Sequence, residues 1–202
     1  RKLLTRSLSG AVSFYSLRKK GTKWMSDQLT EFFLTTERIY EGKIINLRRD
    51  MVRLPNGKEA SREVVEHPGA VAVVPVLPDG RILLVRQFRH PVGQILLEIP
   101  AGKLDAGEDP DVCAVRELEE ETGYRAGKIE RRSSVFTGPG FTDEVIHIYV
   151  ACDLRKTALN PDEDEFLEVQ AYEQSEVRRL IREGSICDSK TIAGLYLLQD
   201  ER

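Results

Sequence analysis

The stretch that decides the fold is GKLDAGEDPDVCAVRELEEETGY, residues 102–124, which ends in a dense cluster of carboxylates. Glu117, Glu120 and Glu121 share one face of a helix, where each like-charge pair destabilises the helix by roughly 0.2–0.5 kcal/mol. Three hard oxygen donors on one helical turn suit Mg²⁺ or Mn²⁺, which bind carboxylates, water and phosphate oxygens. Acidic runs more often mark a solvated helix face. The spacing of the surrounding residues therefore decides between these two interpretations.

The spacing around the carboxylates follows a fixed pattern. A glycine, five residues, a glutamate and seven residues precede Arg-Glu-Leu-x-Glu-Glu-x-Gly-Tyr. This pattern resembles the Nudix box of the Nudix hydrolases at Gly102, Glu108, Arg116, Glu117, Leu118, Glu120, Glu121, Gly123 and Tyr124. A match at nine spaced positions argues against a merely solvated face, and we interpret Leu118 and Tyr124 as core residues.

The resemblance extends over most of residues 30–200 and favours the ADP-ribose pyrophosphatase branch of the family. It is carried by RQFRHPVGQILLEIPAGKLDAGE (86–108), GPGFTDE (138–144) and DEDEFLEV (162–169). Pro139 stands sixteen residues after Gly123, where this branch has a proline. The resemblance implies hydrolysis of ADP-ribose to AMP and ribose 5-phosphate. Alternatives are hydrolysis of other nucleoside diphosphate sugars, or a sensor that binds ADP-ribose without cleaving it; the three intact glutamates favour catalysis.

By the same resemblance, the metal ligands are Glu117, Glu120, Glu121 and the backbone carbonyl of Ala101. Mg²⁺ is the expected ion, with Mn²⁺ as a substitute. Three residues are expected to support these ligands: Arg116, Glu108 and Gly102. A cation at Arg116 offsets the repulsion between neighbouring carboxylates, and a glycine at 102 lets the backbone approach the metal.

The remaining site residues also come from the resemblance. A base that activates water is expected in the acidic loop 161–165, with Glu165 as the first candidate and Glu163 as the second. Substrate contacts are expected from Arg89, Arg62, Pro139 and Glu144. In related enzymes the N-terminal strands exchange across a homodimer and help to bind the adenine. The aromatic residues available for that contact are Phe32, Phe33 and Tyr40.

Charge and composition limit the partners. Residues 1–24 contain seven of the 30 basic residues and none of the 33 acidic ones, so the rest of the chain has a net charge of −10. Such an acidic body is a poor nucleic-acid binder, and no apolar run is long enough for a membrane span. The three cysteines are widely spaced without a CxxC pair, which predicts neither a disulfide framework nor a zinc site. We therefore expect a reducing, cytoplasmic location.

Three regions are predicted along the chain. Residues 1–28 are a basic extension outside the fold: either a targeting segment, or translated sequence upstream of a start at Met25, which we favour. Residues 29–66 read as a β arm for dimerisation, with a hairpin turn at Pro55-Asn56-Gly57. Residues 67–202 form the Nudix hydrolase domain.

The expected fold is a Nudix-type α/β/α sandwich with a mixed sheet, plus the small antiparallel arm. Strands are predicted at 30–39, 43–54, 58–65, 70–77, 81–89, 95–99, 128–136, 145–152 and 166–172. Helices are predicted from Asp109 or Pro110 to Gly123, and at 174–183 and 190–199.

Overall fold

The structure is a computed structural model, and it describes residues 27–158 and 166–198. The strands in these ranges are β1 (Phe32–Glu41), β2 (Asn46–Arg53), β3 (Glu59–Glu66), β4 (Ala70–Pro75), β5 (Ile82–Arg89), β6 (Gln94–Glu98), β7 (Ala101–Lys103), β8 (Tyr124–Arg125), β9 (Lys128–Phe136), β10 (Val145–Cys152), β11 (Arg155–Lys156) and β12 (Leu167–Tyr172). The helices are α1 (Pro110–Thr122), α2 (Gln174–Arg182) and α3 (Ser189–Leu197). The basic N-terminal segment and both candidate bases, Glu163 and Glu165, lie outside the described residues.

A central mixed sheet carries the body of the molecule. Its strand order is β7-β4-β10-β9, in which β10 runs parallel to β4 and the other neighbours are antiparallel. A second, antiparallel sheet has the order β12-β5-β6, and β8 pairs with β11. The predicted mixed α/β fold is confirmed.

Strand β4 explains why helices lie on both faces of the central sheet. Its side chains alternate, and all four from Val71 to Val74 are buried. Val71 and Val73 pack in an apolar cluster with Leu118 of α1, whereas Ala72 and Val74 pack in a second cluster with Leu195 of α3. A strand that is apolar on both faces needs cover on both, which places α1 on one side and α3 on the other.

The box helix begins and ends where its residues predict. The Asp109 side chain accepts a hydrogen bond from the backbone N–H of Asp111, and Pro110 occupies the first turn. Gly123 ends the helix with φ 67°, a left-handed conformation that favours glycine. Cys113 lies on the inner face of this helix and is fully buried, as a small apolar residue would be.

The first three strands form a separate antiparallel sheet in the order β1-β2-β3. Its β2–β3 turn is closed by Leu54 N–H donating to the Lys58 carbonyl (2.8 Å), with Gly57 at φ 83°. Reciprocal backbone bonds join the arm to the body, from Val65 N–H to Phe141 O (2.8 Å) and from Asp143 N–H to Val65 O (3.2 Å). Ten-residue β1 has no buried side chain in this single chain.

Candidate active site

The site is built where α1 passes the turn between β6 and β7. Glu117 and Glu121 are buried under the helix, and Glu120 is half-buried. A Glu121 oxygen accepts a hydrogen bond from the backbone N–H of Ala101 at 3.0 Å. A Cβ atom added to Gly102 would lie 1.9–2.2 Å from the Glu117 carboxylate. The absent side chain at Gly102 therefore makes the space that the Glu117 carboxylate fills.

Arg116 bonds three carboxylates of the box. Its Nη1 donates to Glu117 Oε1 at 2.8 Å and to Glu120 Oε2 at 2.9 Å. Its Nε and Nη2 donate to the two oxygens of Glu108, each at 3.0 Å. These bonds raise the pKa of Arg116, and its guanidinium lowers the pKa of Glu108 to about 2. Both groups therefore stay ionised at neutral pH.

The residues around Arg116 fit a hard divalent cation. The donors are carboxylate oxygens, and the Gly102 backbone approaches them as closely as a glycine allows. A single guanidinium contacts Glu108, Glu117 and Glu120, while Glu121 lies beside them under the same helix. Within the described ranges, no group of three acidic, histidine or cysteine side chains is arranged to hold a metal ion without a change in side-chain position.

A cleft of about 710 Å³ opens over this face of α1. It brings together several residues that the sequence predicts for the site: Arg89, Ala101, Gly102, Arg116, Glu117, Glu120 and Glu144. Glu108 and Glu121 do not line the cleft themselves. Each accepts a hydrogen bond from a residue that does: Glu108 from Arg116, and Glu121 from the backbone N–H of Ala101.

Two predicted substrate residues are placed elsewhere in this single chain. Arg62 in the arm donates from Nε to Glu31 at 3.0 Å, and its Nη2 bonds the other Glu31 oxygen. Pro139 is exposed in the turn between Thr137 and Glu144, and does not line the cleft.

Arg89 reaches the cleft through an ion pair with a buried glutamate. Its Nε and Nη2 donate to the two oxygens of Glu98 at 2.9 and 2.8 Å. Lys190, at the start of α3, donates to the same carboxylate. Burial opposes ionisation of Glu98, but the two cations outweigh it and hold its pKa below the usual value. The pKa of Arg89 is raised by the same pair.

A further part of the cleft lining comes from the segment after β9 and from His67, which follows β3. Thr137 Oγ1 donates to Glu144 Oε2 at 2.6 Å, and His67 Nδ1 lies 3.4 Å from Glu144 Oε1. Asp143 accepts a hydrogen bond from the backbone N–H of His67 at 2.9 Å. The Thr137 hydrogen bond therefore holds the Glu144 carboxylate at the cleft, whereas His67 Nδ1 already accepts the Gly69 backbone N–H at 3.1 Å.

Sequence reasoning missed three residues that line or support the cleft, namely Glu98, Lys190 and His67. Glu98 carries a signal, because a lone carboxylate in the apolar run Ile95–Ile99 must be paired if that strand is buried. Lys190 and His67 carry none. Nothing in their neighbours distinguishes a cleft residue from a surface one.

Comparisons with known proteins agree with this geometry. The model of the NUDIX domain matches residues 66–193, and the model described as the nucleoside diphosphate sugar hydrolase N-terminal domain matches residues 34–65. The chain is 44% identical over 173 residues to an ADP-ribose pyrophosphatase of Bacillus subtilis (strain 168), covering 85% of this chain and 94% of that one. It is 46% identical over 177 residues to the methanol dehydrogenase activator of Bacillus methanolicus, covering 87% and 96%.

A further relative is the ADP-ribose pyrophosphatase of Mycobacterium tuberculosis (strain ATCC 25618 / H37Rv), 42% identical over 166 residues and 80% of each chain. A crystal structure of an ADP compounds hydrolase superposes with a TM-score of 0.77 at 22% identity, covering 87% of this chain and 96% of that one, which shows a shared fold. No helix in the described part of the chain is long and apolar enough to cross a membrane. The family model spans well over half of the chain and coincides with the residues around the cleft, so the chain belongs to the Nudix hydrolase family.

Proposed function

We propose that this chain hydrolyses the diphosphate linkage of ADP-ribose to AMP and ribose 5-phosphate, with Mg²⁺ as its metal ion. The observation that carries the proposal is the cleft, because Glu117, Glu120 and the cationic Arg89 all line it. A diphosphate needs both features, since carboxylates alone would repel it. Relatives named ADP-ribose pyrophosphatase, at 42–44% identity, support the substrate.

Nudix hydrolases generally use divalent metal ions, and Glu117, Glu120, Glu121 and the Ala101 carbonyl would hold one here. Mn²⁺ has the same preference for oxygen donors and is the expected substitute. When bound, the ion neutralises phosphate oxygens and lowers the pKa of a coordinated water.

The other residues bind the substrate and move a proton. Arg89 is proposed to hold the diphosphate or the terminal ribose through Nη1, the nitrogen outside its Glu98 pair. Glu144 is proposed to accept hydrogen bonds from ribose hydroxyls. Glu165, or Glu163 as the second candidate, would accept a proton as water attacks phosphorus and the bridging P–O bond breaks.

We also propose that the protein works as a homodimer in the cytoplasm. The exposed strand β1 of the arm supports dimerisation, because an apolar edge of this kind invites cover by another chain. Arg62 and the turn at Pro139 would then contact substrate only where the arm of one copy meets the body of the other. Three unpaired thiols, Cys113, Cys152 and Cys187, are consistent with a reducing compartment.

The second candidate function is hydrolysis of other nucleoside diphosphate sugars. It is favoured by a GDP-mannose pyrophosphatase of Yersinia enterocolitica serotype O:8 / biotype 1B, 35% identical over 148 residues and 77% of that chain. The box acts on the diphosphate that all these substrates share, so the groups that flank it distinguish the two candidates.

The test is product formation from ADP-ribose, ADP-glucose, GDP-mannose, a diadenosine polyphosphate, NADH and a deoxynucleoside triphosphate, each with Mg²⁺ and with chelator. We expect metal-dependent AMP release led by ADP-ribose. Activity led by GDP-mannose would support the second candidate. No turnover of any compound would favour the alternative of a non-catalytic sensor. The variants E120Q and E119Q make a matched pair, since Glu119 neighbours Glu120 without lining the cleft.

A further inference from the structure

Glu98 is buried in the wall of the cleft, where an unpaired carboxylate would be strongly destabilising. Only 1% of its surface is exposed. It receives two hydrogen bonds from Arg89 on β5 and one from Lys190 on α3. Two cations from different elements therefore share one carboxylate, and both line the cleft that the box glutamates line.

Lys190 is held in place by its own helix. The Asp188 side chain accepts hydrogen bonds from the Thr191 backbone N–H at 2.9 Å and from Lys190 Nζ at 3.0 Å. Thr191 Oγ1 accepts a hydrogen bond from Ile99 N–H at 3.0 Å, which fastens the helix start to the residue after Glu98. The Lys190 side chain is only 11% exposed, so its ammonium group has little freedom to leave Glu98.

The charges on this wall balance only when Lys190 is present. Arg89 and Lys190 are cationic, and Glu98 and Asp188 are anionic, so the four groups have no net charge. Without the ammonium group the wall would carry one net negative charge beside a cleft that must accept a diphosphate. Glu98 would also depend on Arg89 alone, and a buried carboxylate competes directly with substrate for that guanidinium.

We propose that Lys190 is a positioning residue for the substrate, which neutralises Glu98 so that Arg89 can present Nη1 to the anionic diphosphate. The inference rests on the proposed function, because it concerns the group that Arg89 binds. Lys190 acts through Glu98 and Arg89, and takes no part in the transfer of protons.

The test compares Lys190→Met with the wild-type protein in two measurements. One is calorimetric binding of ADP-ribose to the full chain in chelator, and the other is the separation of kcat from KM in Mg²⁺. We expect binding to weaken and KM to rise by about tenfold, the size of one charge-assisted contact, while kcat changes by less than about twofold. The charge-conserving Lys190→Arg should restore binding to within about threefold of wild type.

Lys128→Met is the matched control, since Lys128 pairs with Glu130 on the surface and does not line the cleft. We expect it to bind and turn over ADP-ribose as wild type does. Lys190→Gln keeps an N–H donor toward Glu98 without the charge. If Lys190→Met does not fold, Lys190→Gln replaces it, and we expect the same weakening of ADP-ribose binding.

Unchanged binding in the folded Lys190→Met or Lys190→Gln protein would overturn the inference, even if the melting temperature fell. A loss of stability alone is the result of a purely structural ion pair. If the wild-type protein did not hydrolyse ADP-ribose, the proposed function would be refuted instead. The comparison of the Lys190 variants would then be made with the nucleoside diphosphate sugar that the wild type cleaves.

Discussion

At the scale of single residues, Gly102 shows how a missing side chain shapes the site. Any Cβ at this position would overlap the Glu117 carboxylate, which lies at the end of a flexible side chain and can swing away. We therefore expect Gly102→Ala to keep its fold but to lose about a hundredfold in kcat, because a displaced Glu117 carboxylate no longer holds its place in the proposed ligand set. The measurement is kcat on ADP-ribose together with the melting temperature.

Gly140→Ala is the control for this substitution, since a Cβ at Gly140 meets no atom within 4 Å. We expect its activity to match wild type. A Gly102→Ala protein with wild-type kcat would show that Glu117 can bind metal from a second position, and that the enzyme does not need a glycine to place this carboxylate.

The Glu108–Arg116 pair predicts how stability depends on pH. The folded pKa of Glu108, about 2, lies below its ordinary value of 4.5, so the ionised carboxylate stabilises the fold above pH 4.5 and this contribution disappears as pH falls toward 2. We expect Glu108→Gln to lower the free energy of unfolding by about 1 kcal/mol at pH 7. The difference from wild type should shrink between pH 4.5 and 3.

Urea unfolding of both proteins at each pH is the measurement. A difference that stays constant down to pH 3 would mean that the amide substitution disturbs packing, and that charge is not the cause. Activity cannot separate these two causes, since Glu108 contacts Arg116 and through it the box carboxylates.

The residues that the sequence groups together lie together in the structure where their spacing along one element fixes their position. Glu117 and Glu120 line the cleft, as one face of a helix requires, and Ala101 and Gly102 follow directly from the turn before the box. Arg62 does not line it, because its partner is Glu31, 31 residues earlier. Such pairing depends on how the arm folds, which no local pattern in the sequence records.

At the scale of elements, α1 is tied to the sheet at its first turn. The hydroxyl of buried Tyr149 on β10 donates to Asp111 Oδ1 at 2.6 Å and accepts from Arg131 Nε at 3.0 Å. Arg131 also pairs with Asp111, so three elements meet at this tie. It lies in the first turn of the helix, whereas Glu117 lies in the middle and Glu121 in the last turn.

We expect Tyr149→Phe to lower the free energy of unfolding by about 1 kcal/mol, the net value of a buried hydrogen bond, with kcat within about twofold of wild type. Chemical denaturation and steady-state kinetics measure the two effects. Tyr172→Phe is the control, because its hydroxyl bonds the exposed Gln170 side chain at 3.1 Å. A tenfold loss of kcat in Tyr149→Phe would mean that this tie also sets the active-site end of the helix.

The sequence predicts the elements in which a hydrophobic pattern continues over several residues or a turn motif is present. The box helix, the hairpin at Asn56–Gly57 and the buried strands β4 and β5 all have one. The predicted second strand begins at Asn46 instead of Lys43, since Gly42 N–H bonds the Ile45 carbonyl and closes a turn. Strands of two or three residues, such as β7 and β8, are too short to show any period, and only tertiary pairing creates them.

At the scale of the whole molecule, the arm has more apolar surface than a lone three-stranded sheet can cover. Phe33, Ile39 and Tyr40 are 61%, 48% and 56% exposed. Their exposure in a single chain supports the proposed dimer, because a second copy would remove this surface from water. The sequence suggested the arm through its strand pattern and turn, but the position of any second copy is a property of the assembly.

The double variant Phe33→Glu with Ile39→Glu tests this proposal, since neither side chain packs in the core of the single chain. We expect light scattering after size exclusion to show about twice 22.9 kDa for the wild type and 22.9 kDa for the variant. Two new carboxylates on each arm would face another acidic copy, and burying them unpaired would cost several kcal/mol. If the arm completes the site of the other copy, activity on ADP-ribose should fall by at least about tenfold with the dimer.

Tyr196→Glu is the matched control, because Tyr196 is an equally exposed aromatic residue on α3, outside the arm. We expect it to remain dimeric and active. A wild-type mass of 22.9 kDa would refute the dimer itself, whereas a monomeric double variant with full activity would refute only the shared site. In the second case Arg89, Glu144 and the box would form the whole substrate site within one chain, and Arg62 would have no role beyond its pair with Glu31.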